Sequence, residues 1–151
     1  MSRPKKDRLV YEPPLFSDFK PIGIPRSKLK PELLGLDEFE ALRLADYQGM
    51  DHNEAAEEME ISRPTFTRLI EAARKKMAIF IIEGKQLQIE GGQVHFRGNI
   101  MQCHDCGHMI KIKFDEKIAI CPSCSSSNLI DLAGGFGHGS CCRQHGHHGK
   151  R

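Results

Sequence analysis

Four cysteines come as two pairs, Cys103-His104-Asp105-Cys106 and Cys121-Pro122-Ser123-Cys124, each of the form C-x2-C, with fourteen residues between the pairs. Each knuckle of this kind delivers two sulfurs to one ion, and four thiolates suit a tetrahedral Zn2+. Every ligand is a protein side chain and none is left open for water, so the spacing predicts a structural site. Iron can take the same four thiolates, whereas a redox dithiol explains two matched pairs less well than one metal does. His104 and His108 flank the first pair and read as surface residues. Gly107 follows the first knuckle, but Ser125 holds the equivalent place in the second, which puts the second turn's geometry in question.

The pattern resembles a zinc ribbon over residues 97–132. After it comes GGFGHGSCCRQHGHHGKR. His138, Cys141, Cys142, His145, His147 and His148 make a candidate second metal site for Zn, Ni, Co or Cu; adventitious binding by a flexible segment is the plainer alternative. The tail, residues 133–151, has no core-forming pattern and is expected to be disordered unless a metal orders it. No Ser/His/Asp arrangement, phosphate-binding loop or open metal site is visible, so no enzyme is expected.

These sites need scaffolds, and the chain is short. Its 151 residues are 39% hydrophobic and lack Trp, which suits one ordinary domain or two small ones with modest cores. No run of about 18 apolar residues occurs, and the start MSRPKKDRLVYEPP has no apolar signal core. The expectation is a soluble, cytoplasmic chain with no membrane partner, in which six cysteines serve metal rather than disulfides. Charge is polarised along the chain: residues 1–35 sum to +4, residues 36–60 to −8 and residues 61–85 to +4. A module with one basic face for a polyanion would look like this, as would unrelated solvated helix faces.

Prolines at positions 4, 13, 14, 21, 25 and 31 make residues 1–35 an irregular basic arm. Asp37 is expected to cap a first helix, with Glu40 three residues on and Leu36, Phe39, Leu42 and Ala45 as its apolar side, ending near Gly49. Asp51 and Glu54 repeat the capping pattern for a short helix burying Ala55, Ala56 and Met59. Ser62 then caps a third helix that tolerates Pro64 in its first turn and buries Phe66, Leu69, Ile70, Ala73 and Met77. Leu87-Gln88-Ile89-Glu90 and Gln93-Val94-His95-Phe96 alternate on either side of Gly91-Gly92, which predicts a β-hairpin.

Two short helices on a three-residue turn, small residues in the first and polar and basic ones opening the second, predict a DNA-reading helix-turn-helix. Ile61 would plug the space between them. The outward face of the second carries Arg63, Pro64, Thr67, Arg68, Glu71 and Lys75. Arg63 and Arg68 could contact guanines or phosphates, and Thr65, Thr67 and the helix N-terminus suit phosphates. Arg3, Lys5 and Lys6 form an arm that could enter a minor groove or serve only as a solubilising tail. A solvated three-helix core would share many of these features.

The run LDEFEALRLADYQGMDHNEAAEEMEISRPTFTRLIEAARKKMA resembles region 4 of the sigma-70 factors. With MSRPKKDR, Phe19-Lys20-Pro21, Gly23 to Pro25 and EGKQLQIEGG, residues 1–92 resemble an uncharacterised prokaryotic family of small proteins held to bind DNA. The resemblance implies a sigma-70 region-4-like fold and DNA binding, not a defined target. Where such turns commonly have Gly, this chain has Glu60, and positive φ at a non-Gly residue costs on the order of 1 kcal/mol.

The expected architecture is therefore a mainly α, three-helix helix-turn-helix domain with a β-hairpin (36–96), preceded by the arm (1–35) and followed by a small β zinc ribbon (97–132) and the tail. The expected function is that of a sequence-specific double-stranded DNA-binding protein, a transcriptional regulator, with a structural zinc that supports the fold or recruits RNA polymerase or another protein. Two half-sites would call for a homodimer, although no heptad seam is visible. The rival expectation is a metal-handling or protein-interaction module, a sensor or store, whose helix-turn-helix only packs.

Overall fold

The computed structural model describes residues 7–138 and 141–142. The chain divides into two units: residues up to Leu9 with Phe16–Val94, and Val10–Leu15 with the chain from His95 onward. It is a small mixed α/β protein, with several small sheets beside its helices.

The proline-rich arm supplies β2 (Asp18–Phe19) and β3 (Pro31–Leu34) of the first unit, and β1 (Arg8–Val10), whose last residue belongs to the second. The arm is thus woven into sheet, and Leu9 and Leu34 are buried. Proline permits this because Pro31 opens its strand, where no ladder N–H is required. Helix α1 (Leu36–Leu42) follows and runs into a π-helical turn over Arg43–Tyr47. Helix α2 spans His52–Met59 and α3 spans Arg63–Glu83. Their shared core is Ala41, Leu44, Ala55, Ala56, Met59, Phe66, Leu69 and Ile70, with Ile61 packed at its margin. Full burial of Met59, Phe66 or Ile70 stabilises the unit by about 1.5–3 kcal/mol each.

The first helix departs from the sequence expectation. Its cap is Gly35, whose N–H donates to Glu38 Oε1 at 2.8 Å. A Cβ at position 35 would meet Asp37 Oδ1 at 2.6 Å, so a larger residue there would have to displace the Asp37 carboxylate. Asp37 instead pairs with Arg8 at 2.6 Å. The buried side is Leu36, Ala41 and Leu44, with Phe39 only half-buried. Glu38 and Glu40 are buried too, each beside a cation: Lys76 Nζ lies 2.7 Å from Glu38 and Arg43 Nε lies 2.7 Å from Glu40.

The expected 87–96 hairpin does not form. Strand β4 (Gln86–Ile89) is central, antiparallel to β2 with Phe19 opposite Leu87, and parallel to β3 with Leu34 opposite Ile89. A strand has two hydrogen-bonding edges, and both are taken. Strand β5 (Val94–Phe96) therefore lies along β1. Gly91 and Gly92, at φ +80 and +96, carry the chain past the start of α1, where the Leu36 N–H donates to Gly91 O at 3.0 Å.

In the second unit, β6 (Asn99–Cys103) is flanked by β7 (Met109–Ile112) and β8 (Leu129–Asp131), both antiparallel to it. A one-turn helix, α4 (Leu132–Gly135), begins directly after β8. Among the described residues no helix is long and apolar enough to cross a membrane.

Candidate metal centre and nucleic-acid interface

The two cysteine pairs converge at one end of the β6–β8 sheet. Cys103 ends β6, and the chain turns through Gly107, at φ +78, whose N–H donates to Cys103 O at 2.9 Å. The second knuckle repeats this geometry: Ser125 stands at φ +63 and its N–H donates to Cys121 O at 2.9 Å. Serine therefore takes the left-handed place that glycine holds in the first knuckle. The Asp105 carboxylate accepts a hydrogen bond from the Ser126 hydroxyl.

The four sulfurs lie within 4.8 Å of one another. Cys103 and Cys124 approach to 3.5 Å, and Cys106 and Cys121 to 3.7 Å. Those separations exclude disulfides, which need about 2.05 Å. Neighbouring sulfurs on a tetrahedral ion with Zn–S near 2.3 Å stand about 3.8 Å apart, so the cluster is compatible with a metal site. Backbone N–H groups of Cys106 and then Asp105 point at Cys103 and pull its thiol down to about 7. Cys124 accepts the Ser126 N–H, yet its contacts with Cys103 and Cys106 push it up to about 12. Ionising one thiol of a crowded set opposes ionising the next, and a cation relieves that repulsion.

A different geometry governs α3. At about 100° per residue, Phe66, Leu69, Ile70 and Ala73 fall together on the core side and are all buried. Pro64, Arg68, Glu71 and Lys75 fall on the opposite arc, with Arg63 and Thr67 on the flank between the two faces. Of these, Arg63, Pro64, Arg68, Glu71 and Lys75 are exposed. The two threonines are less available than the sequence suggests. Thr67 Oγ1 lies 2.9 Å from His52 Nδ1, and Thr65 Oγ1 lies 2.8 Å from Ser62 Oγ. His52 also stacks edge-on against Phe66, with ring centroids 5.3 Å apart; it has no motif to betray it in sequence.

The turn before α3 is well defined. Glu60 adopts φ 58 and ψ 45, and the Ile61 N–H donates to Ala56 O at 3.0 Å. The chain thus accepts the left-handed conformation with a glutamate. Ser62 Oγ accepts the Thr65 N–H at 3.3 Å. At the other end of α2, the Asp51 carboxylate is held below its usual range by the Glu54 N–H, with Arg63 adding to the effect.

Arg3, Lys5 and Lys6, and His145, His147 and His148 of the tail, lie outside the described residues. His138, Cys141 and Cys142 do come together, and His95 of β5 joins them, all within 4.8 Å. His95 was invisible to spacing because it lies far from the tail in sequence, inside an alternating strand.

No solved structure matches the chain. A protein of Chloroherpeton thalassium named as a UPF0251 protein is 49% identical over 132 residues, 87% of each chain. Another of that name, from Pelotomaculum thermopropionicum, is 44% identical over 83% of this chain and 95% of its own. One from Moorella thermoacetica is 37% identical over 99% of this chain and 98% of its own. The likeness to this last relative runs through the cysteine pairs and into the tail. Residues 1–97, which hold all three long helical segments and the β2–β4–β3 sheet, match the family described as protein of unknown function DUF134, and the chain belongs to that family.

Proposed function

We propose that the chain is a sequence-specific double-stranded DNA-binding protein, a transcriptional regulator, and not an enzyme. In this reading α2 and α3 are a helix-turn-helix of the sigma-70 region-4 kind, and α3 lies in the major groove. Residues 97–132 are a zinc ribbon whose four cysteines hold a structural Zn2+ and which supports the fold or recruits RNA polymerase. The observation that carries the reading is the division of α3 into opposed faces. Its core face is spent on α1 and α2, which leaves Arg63, Arg68 and Lys75 solvent-exposed beyond a capped N-terminus. Arg63 and Arg68 then have the reach for guanine edges or phosphates, and the helix N-terminus favours a phosphate.

The test is selection of bound duplexes from a random pool by zinc-loaded full-length protein, followed by affinity measurement at two salt concentrations. Recovery of one motif, bound well above a scrambled duplex at both salts, is the expected result. Weak, motif-free binding that vanishes with salt would reject it and favour the rival reading, a metal-handling module whose helices only pack.

A further inference from the structure

We propose that His95, His138, Cys141 and Cys142 form a second metal centre, a two-thiolate, two-imidazole site for Zn2+. It is separate from the four-cysteine cluster and shares no residue with it. The donor groups come from a strand, a tight turn and a short helical piece, yet their atoms meet at the spacing of ligands around one ion. Cys142 Sγ lies 3.2 Å from His138 Nδ1 and 3.6 Å from His95 Nδ1. Cys141 Sγ lies 3.5 Å from His138 Nδ1 and 3.8 Å from Cys142 Sγ. A tetrahedral ion with Zn–S near 2.3 Å and Zn–N near 2.0–2.1 Å sets S···S edges of about 3.8 Å and S···N edges of about 3.6 Å. These contacts match those edges to within a few tenths of an ångström, and the sulfur pair is far from disulfide length.

The surroundings hold the donors in place. Val94 and Phe96 are buried, and strand alternation turns His95, between them, to the other face. Asn99 Oδ1 accepts the Ala133 N–H at 3.0 Å, and Asp131 caps α4 through the Gly134 N–H at 3.1 Å. The helix then closes with a reversed turn: the Gly137 N–H donates to Gly134 O, the His138 N–H donates to Ala133 O, both at 3.0 Å, and Gly137 stands at φ +81. This is the C-terminal motif that glycine favours, and it delivers His138 beside Phe96, with ring centroids 5.1 Å apart. Cys142 is fully buried and its sulfur accepts the Phe96 N–H at 3.2 Å. Backbone N–H groups aimed at sulfur stabilise a ligating thiolate. Two thiolates with two imidazoles suit the borderline-soft divalent ions, Zn2+ foremost.

The test counts metal in the full-length protein by elemental analysis, in a weakly chelating buffer that strips loosely held ions, and repeats the count with Co2+ as a spectroscopic probe. The wild type should hold two equivalents, both with the absorption of tetrahedral cobalt–thiolate sites. His95→Ala and, separately, Cys141→Ser should each hold one. Cys141 is exposed, so its variant decides the matter if the strand variant fails to fold. A single equivalent in the wild type would overturn the proposal. So would two equivalents held at unchanged affinity by Cys141→Ser or by a folded His95→Ala, since the extra ion would then belong to the distal histidines alone.

Discussion

Two left-handed residues illustrate how much a single side chain decides here. Glu60 and Ser125 both adopt positive φ without being glycine, at a conformational cost on the order of 1 kcal/mol each. Glu60→Gly should therefore raise the chain's stability by at most about 0.5 kcal/mol, net of the extra freedom glycine gains when unfolded; chemical denaturation measures it, and a clear loss of stability would show that the glutamate side chain contributes more than the backbone strain costs. On the exposed side of α3, Arg63→Ala and Arg68→Ala should each weaken binding to a selected duplex by about 1–3 kcal/mol, and one of them should relax preference at a guanine. Lys75→Ala should instead weaken all duplexes alike and lower the salt slope by about one unit. Fluorescence titration against the selected and scrambled duplexes distinguishes these outcomes, with unchanged binding in all three variants excluding α3 as the reading element.

Helix ends and helix pairings set the next level. Ser62 is the side-chain cap of α3, its Oγ accepting the Thr65 N–H, and Ser62→Ala should destabilise the protein by about 1 kcal/mol, read as a lowered denaturation midpoint. Arg74 of α3 grips Asp46 of the π-helical turn through two hydrogen bonds of 2.7 and 3.1 Å. That guanidinium holds the Asp46 carboxyl below its ordinary 3.8. A depressed folded-state value means that the pair's contribution is present above about 3.8 and is lost as pH falls through the folded value. Both side chains are about half exposed, at 44% and 51%, so screening limits the pair to about 0.2–1 kcal/mol. Asp46→Asn should show that deficit at neutral pH and converge with the wild type as pH falls below the ordinary value; a deficit that persists in acid would mean packing rather than charge. The helix starts at Asp51 and Ser62 were readable because capping is a local transaction between residues three apart. The start of α1 was not, because Asp37 is drawn to Arg8, far away in sequence.

The two units differ in what stabilises them. The first has a contiguous apolar core built from α1, α2 and α3, whereas among the described residues of the second the buried apolar side chains are few, Phe96, Ile100 and Phe114 among them, besides its cysteines. Small cores need staples. Removing metal from the full-length protein with a strong chelator should therefore abolish amide protection across 99–131 while α1–α3 stay protected in hydrogen exchange. Simultaneous loss in both would show that the cysteine cluster supports more than its own sheet. What the sequence by itself determined is what short-range chemistry dictates: the cysteine spacing, the caps at Asp51 and Ser62, and the periodicity that buries Ala55, Ala56, Met59, Phe66 and Ile70. The tertiary structure alone decided the pairing of strands. The Gly91-Gly92 stretch carries every local mark of a hairpin, but β4 spends both edges on β2 and β3, a competition among distant segments that no local pattern encodes. The same competition sends β5 to β1, and tertiary contacts alone bring His95 to the tail's sulfurs, because both pairings are made between residues distant in the chain and close only in space.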